Sequence, residues 1–445
     1  MMPDRSLWWR VGGPERGLGL AIPSTGWAQR PILRSPKHAM YFFYYFPVGI
    51  DAEARRLPVI TISCAAICVT VFIAHKFLAG SVPFDFRNYV YFPGHSNLGP
   101  ALAAAFLHFD YLHIVSNLMY LVLFGRYLED RVGAVGFALV FLGAAVVGNV
   151  LQGWYNIHVL ETNAGIIGAS GGVSGVLGAF LVRMRHHRVR IAYWVFAPLL
   201  ATNKFGRSEL HAVAAIGLWV LIQIVRGLVQ LEGASTNVAY VTHVAGFGFG
   251  VFVALATGGW VHGRVDGHMI KAKRCLRRGD FWGAQDALEH YATARALDGD
   301  AHLALARARA QCGDRAGARA SYASACECHI ANGLRGAAER AYQEASRSLP
   351  DFVLGSDRHL DLCYGLERNL KADVAIRAYE SFVLVYPAHA EAAFALLRAA
   401  NLHAKRGDLS RARDCYETIP LRYPNDTWAE FAAEHARRLS LATQG

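Results

Sequence analysis

Apolar residues dominate the chain from about Leu57 to Trp260, and from Arg264 onward they give way to Ala, Arg, Glu and Asp in soluble-helix proportions. A helix needs about 20 apolar residues to cross a bilayer. Six stretches of the first region approach that length: residues 58–79, 103–124, 133–155, 168–184, 209–229 and 238–259. Several hold Gly, His or Ser, which hydrocarbon tolerates only where neighbouring helices or water satisfy them. The pattern predicts an all-α chain, with a polytopic six-helix transmembrane bundle followed by a soluble domain of α-helical hairpins.

Charge then sets the orientation. Arg55 and Arg56 precede the first stretch, and Arg126 and Arg131 lie between the second and third. Basic residues from Arg183 to Arg207 fill the fourth-to-fifth connection, and a cluster from Arg264 to Arg278 follows the sixth. By contrast, "NIHVLETNAG" and "LEGASTN" carry no Lys or Arg. Lys and Arg mark the cytoplasmic side, so both termini are expected in the cytoplasm and these two loops outside, with a long first external loop at about 80–102. "RIAYWVFAPLL" is apolar but too short to span, and is expected to lie at the interface.

The tail repeats. Gly279, Ala284 and Leu288 recur as Gly313, Ala318 and Tyr322, a shift of 34 residues. Ala338, Tyr342 and Pro350 recur as Ala375, Tyr379 and Pro387 and again as Ala412, Tyr416 and Pro424, a shift of 37. Small residues at fixed places let paired helices pack closely, and the Pro ends the second helix. The repeats resemble tetratricopeptide repeats, whose period is about 34. That resemblance implies a groove for a protein partner.

Composition adds little to this division. The net charge of +11 sits largely in clusters beside apolar stretches, so a membrane accounts for it and nucleic acid is not an expected partner. The eight cysteines show no paired C-x-x-C spacing, and Cys326 and Cys328 lack a second ligand pair. They read as reduced thiols, with no metal expected. The expected divisions are a disordered arm or extension at 1–39, a membrane domain at 40–262, a basic linker at 263–275 and the repeats at 276–440. "MYFFYYFPVGID" makes Met40 an alternative start to Met1.

Three polar sets interrupt the apolar stretches. "HFDYLHIVSN" places His108, His113 and Asn117 in order, with the last two on one helical face. "IIGASGGVSGVLGAF" holds Ser170 and Ser174, each in a Gly-x-Ser-Gly frame, and "THVAGFGFG" holds His243. The glycines alone (Gly168, Gly171, Gly175 and Gly178, then Gly246 and Gly250) are an ordinary packing surface for membrane helices. A serine hydroxyl, however, needs a base, and His243 is the only histidine of the last stretch. A histidine and an asparagine on another helix suit donors to an oxyanion. No inverted repeat or intramembrane acid points to a transporter.

"HFDYLHIVSN", "FGRYLEDRVG", "GASGGVSGVLGAF" and "HVAGFGFG", in this order, resemble the rhomboid intramembrane serine proteases over residues 40–260. The resemblance implies a six-helix bundle that hydrolyses peptide bonds in or near the transmembrane segments of other membrane proteins, by a Ser–His dyad without cofactor. It makes Ser170 the nucleophile, His243 the base, and His113, Asn117 and the Ser170 N–H the oxyanion donors. His108, Gly168, Gly171, Gly246 and Gly250 are structural, and Glu129, Asp130 and Arg131 cap helices and anchor the interface. Ser170 is preferred over Ser174 because it falls in a helix's first turn, where backbone N–H groups are free. Ser174 stands where several members have an aromatic against the base, and the first loop lacks their Trp-Arg pair. An inactive scaffold of the same fold is the alternative function. Ala- and Arg-rich composition favours a bacterial inner membrane.

Overall fold

The computed structural model describes residues 42–77, 85–94, 98–197, 202–231, 239–349, 351–369 and 371–442. The expected arm at 1–39, most of the loop "LEGASTN" and much of the first external loop lie outside them. The strand tips, residues 42–44 with 194–205, belong to a small unit of their own, while 45–193 with 206–445 make the other.

The first membrane helix, α1 (Val59–Phe77), starts where two carboxylates from later in the chain meet it. Glu129 accepts hydrogen bonds from the Ile60 and Thr61 N–H groups at 2.9 and 2.8 Å and from the Thr61 hydroxyl at 2.7 Å. Asp130 accepts from the Arg55 and Arg56 N–H groups. Glu129 performs the capping role expected of it, because a helix's first N–H groups have no partner of their own, while Asp130 holds the chain just before the helix.

A short α2 (Leu98–Ala103) and a 3₁₀ turn lead to α3 (Tyr111–His158), whose first turn is capped by Asp110. α3 covers the second and third expected stretches at once, with one break at Gly133 (φ 75°, ψ 169°), a conformation only glycine adopts without strain. The chain doubles back there. Gly125 packs on the Phe137 ring, Phe124 meets Phe180 edge-on at 5.1 Å, and Ala144 and Val140 beyond the break line Gly175. α3 is therefore two antiparallel passes joined by a tight turn.

α4 (Ser170–Met184) has 15 residues, about 22 Å of helix. α5 (Ala212–Leu231) is apolar and mostly uncovered by protein. α6 (Tyr240–Ala256) is followed, through Thr257 and a left-handed Gly258, by a bend of 78° into α7 (Gly259–Arg277). By length and composition three helices reach a membrane span, Val59–Phe77, Tyr111–His158 and Ala212–Val229, and a fourth does if α6 and α7 count as one. This falls below the expected six because α3 folds two stretches into one helix and α4 is short. These helices make an integral membrane protein.

Within "RIAYWVFAPLL", the stretch expected at the interface, the described part is a strand. It forms β2 (Arg188–Ala197) in a three-stranded sheet of order β1-β2-β3 with β1 (Phe42–Ile50) and β3 (Thr202–His211). Strand pairing satisfies a backbone too short to span. Asp51 locks the end of the sheet, accepting from the Arg188 N–H at 2.8 Å and sitting 2.9 Å from His187 Nδ1. The stretch expected as a basic linker, 263–275, is helical and lies within α7.

Among the described residues nine further helices follow: α8 (Phe281–Ala294), α9 (Gly299–Gln311), α10 (Arg315–Ala331), α11 (Arg335–Ser348), α12 (Ser356–Arg368), α13 (Ala372–Val385), α14 (Ala392–Lys405), α15 (Leu409–Arg422) and α16 (Ala429–Ala442). Each packs on the next. The recurring Ala–Tyr pairs are their core. Ala318 and Tyr322, Ala338 and Tyr342, Ala375 and Tyr379, and Ala412 and Tyr416 are all at most 2% exposed. All eight cysteines are free.

Candidate active site

The site is built on the contact between α4 and α6. A Cβ at Gly246 would collide with the Gly171 carbonyl, one at Gly250 with the Gly175 carbonyl, and one at Gly178 with the Phe247 carbonyl. Backbone lies on backbone, as the glycine spacing predicts. The order of these contacts makes the two helices parallel, so both N-termini come to the same end. Ser170 is the first residue of α4, and His243 lies in the first turn of α6. Gly171 also touches the Thr242 side chain, next to His243.

At that end Gly168 has φ 120°, and a Cβ there would lie 2.6 Å from His113 Nε2 and 3.8 Å from Ser170 Oγ. This one glycine thus admits both a backbone turn that L-residues avoid and an imidazole beside the serine. Val173 N–H makes the first bond of the α4 ladder, to Ala169 O at 2.9 Å, so the N–H groups of Ser170, Gly171 and Gly172 have no partner within the helix. These donors point out of a helix N-terminus, where negative charge is favoured.

The two serines differ in what their hydroxyls do. Ser174 is fully buried and its Oγ donates to the Ser170 carbonyl at 2.6 Å. Ser170 is partly exposed and its Oγ makes no hydrogen bond among the described residues. That includes His243: the structure brings the two helix ends together without a hydrogen bond between these side chains.

His243 Nδ1 instead meets Gln223 Oε1 on α5 at 2.8 Å. An amide oxygen only accepts, so the proton sits on Nδ1 and Nε2 keeps its lone pair. Trp219, one turn before Gln223, lies 6.1 Å from the imidazole and Tyr240 lies 6.2 Å from it edge-on. These rings flank the imidazole, and the residue four after Ser170, where the resemblance implied an aromatic, is Ser174. The sequence patterns above single out neither Gln223 nor Trp219. The available signal is an amide placed between Ile222 and Ile224 in an apolar stretch.

Asn117 is buried, and its Nδ2 donates to the His113 carbonyl at 3.0 Å. One amide hydrogen is thereby used within the helix and the other remains. His108 lies in the short connection between the 3₁₀ turn and α3, not on α3. It is fully buried, 5.0 Å from the His113 ring in an edge-on contact. Behind α6, Gln152 accepts from the Thr242 N–H at 3.1 Å and donates to Asn156, fixing the start of α6 against α3.

Residues 97–260 match the model of the Rhomboid domain. Rhomboid-like protein 11, chloroplastic, of Arabidopsis thaliana is 37% identical over 152 residues, which is 32% of this chain and 50% of that protein. Rhomboid protein 1, mitochondrial, of Saccharomyces cerevisiae is 30% identical over 114 residues, 24% of this chain and 33% of that protein. Rhomboid protease GlpG of Haemophilus influenzae is 24% identical over 153 residues, 33% of this chain and 75% of that protein. The chain thus spans a third of the yeast relative's length and half of the Arabidopsis one. Among solved structures, the MamA protein aligns over 36% of the chain at 18% identity with a TM-score of 0.18, too low to bear on the fold. Residues 97–260, which hold the candidate side chains from His108 to His243, match the rhomboid domain.

Proposed function

We propose that the protein is an intramembrane serine endopeptidase acting on transmembrane segments of other membrane proteins. The observation that carries this reading is the parallel glycine contact of α4 and α6. It sets Ser170, His113 and a Gln223-held His243 at one end of the bundle. Ser170 Oγ attacks the scissile carbonyl carbon, and its proton passes to His243 Nε2. The Ser170 N–H, His113 Nε2–H and the free Asn117 N–H receive the developing oxyanion. Collapse breaks the C–N bond as His243 returns the proton to the amine, and water then hydrolyses the acyl-serine through the same base. Gln223 acts through His243, as a positioning residue.

The helical hairpins after α7 bind a protein partner or substrate, and both termini face the cytoplasm of a bacterium. With purified protein in detergent, a fluorophosphonate probe labels Ser170, and Ser170→Ala and His243→Ala abolish cleavage of a labelled transmembrane substrate. The second reading, a scaffold without activity, is favoured by the missing Ser170–His243 hydrogen bond. Wild type that neither cleaves nor labels, while still holding the substrate, would establish it.

A further inference from the structure

In the tail, one carboxylate, one imidazole and one thiol converge from three successive helices. Glu380 on α13, His403 on α14 and Cys415 on α15 have their donor atoms all within 4.8 Å of one another. His403 is 7% exposed, Cys415 is partly buried, and none of the three belongs to the membrane site. Their spacing along the chain, one per helix, is invisible to a search for paired cysteines.

The imidazole sits between two acceptors. His403 Nε2 lies at hydrogen-bond distance from Glu380 Oε1, 3.0 Å, while the buried Nδ1 makes no hydrogen bond among the described residues and lies 3.5 Å from Asp408 Oδ2. A carboxylate only accepts, and a neutral imidazole has a single N–H. With that proton on Nδ1, facing Asp408, the Nε2 lone pair faces a Glu380 oxygen. With it on Nε2, Nδ1 confronts Asp408. Two arrangements remove the conflict, a doubly protonated ring or a cation shared by Nε2 and Glu380. The thiol separates them. Cys415 Sγ gathers with a His403 ring nitrogen and a Glu380 oxygen, where an imidazolium has no use for it and a metal ion does.

We propose that Glu380, His403 and Cys415 bind a zinc-like divalent ion, with Asp408 holding the ring from its far side. A sulfur, nitrogen and oxygen set suits a borderline-soft ion that prefers four ligands, and three protein ligands leave one position for water. A ligating histidine ordinarily gives its other N–H to a carboxylate, the part Asp408 Oδ2 is placed to play. The other Asp408 oxygen is occupied, capping α15 through the Arg411 N–H at 3.2 Å. The ion would tie α13, α14 and α15 into one block.

Cobalt(II) is the probe. Full-length protein in detergent, stripped with a chelator, is titrated with cobalt and followed for the near-ultraviolet thiolate-to-cobalt band. The expected result is one equivalent bound, displaced by zinc, with the band lost in Cys415→Ser, affinity lowered at least tenfold in His403→Ala, and both unchanged in Cys312→Ser. A folded wild type with no thiolate band, or a band that survives Cys415→Ser, overturns the site and leaves the imidazolium. Should a variant misfold, wild type alone decides. Saturating zinc is expected to raise the melting temperature of the chelated protein by about 5 °C, and no shift overturns the proposal.

Discussion

Ser170 and Ser174 stand four residues apart in the same frame, and only their positions in the helix separate them. The Ser174 hydroxyl is committed to the Ser170 carbonyl, while Ser170 keeps its hydroxyl and its N–H available at the helix start. The sequence allows this choice because a Gly-rich start before an apolar run marks a first turn. Ser174→Ala is therefore expected to retain at least a tenth of wild-type cleavage, against a loss of ~10³-fold or more for Ser170→Ala, measured as initial rates on one substrate. Gln223 was not legible, since its role depends on which face of α5 meets α6 and no spacing in the chain encodes that. Gln223→Ala leaves the imidazole free to rotate and to change tautomer. A fall in kcat of roughly tenfold, a fraction of the 10²–10⁴ that a positioned base supplies, is expected with KM unchanged. An equal rise in KM would instead place Gln223 in substrate binding.

At the scale of elements, the spacing of Gly171, Gly175, Gly178, Gly246 and Gly250 foretold the seam between α4 and α6. The two passes of α3 were legible as separate apolar stretches with Arg126 and Arg131 between them, but periodicity did not single out Gly133 as the residue where the helix breaks. Nor did it show the sheet, whose β2 reads as a plain apolar run. The seam makes a sharp comparison. Gly250→Ala drives a methyl into the Gly175 carbonyl, and overpacking of this kind costs about 1–3 kcal/mol. At Gly248, two residues away, a Cβ would meet nothing within 4 Å, so Gly248→Ala is expected to be neutral. Thermal inactivation of the two variants side by side checks this. Removing the carboxylate that caps α1, in Glu129→Ala, strands two backbone donors and is expected to cost about 2–3 kcal/mol.

At the scale of the whole molecule, α7 joins the membrane part to the helical hairpins. Its start packs on α4, where Gly263 faces the Arg183 and Val182 carbonyls and Asp266 pairs with buried Arg183 at 2.7 Å. Its end packs on α8 through Met269, Ala272 and Cys275. The repeat period announced the hairpins, but the apparent linker hid this continuity because its charges suggested an exposed tether. Asp266→Ala leaves a buried guanidinium unpaired and is expected to cost about 3 kcal/mol, most of it recovered in the Arg183→Met, Asp266→Ala double variant. Ending the chain near residue 270 keeps the α4 contacts and removes the α8 ones. Cleavage of a short model substrate is expected to survive that truncation. The α4–α6 seam has a last consequence. Where Gly246, Gly250 and Gly178 face backbone carbonyls, the seam has few rotamers to rearrange and few ways to sit slightly differently. Ser170 and the backbone of His243 are thus held by the same seam, whereas the His243 ring is held from α5, which is mostly uncovered and carries Gln223.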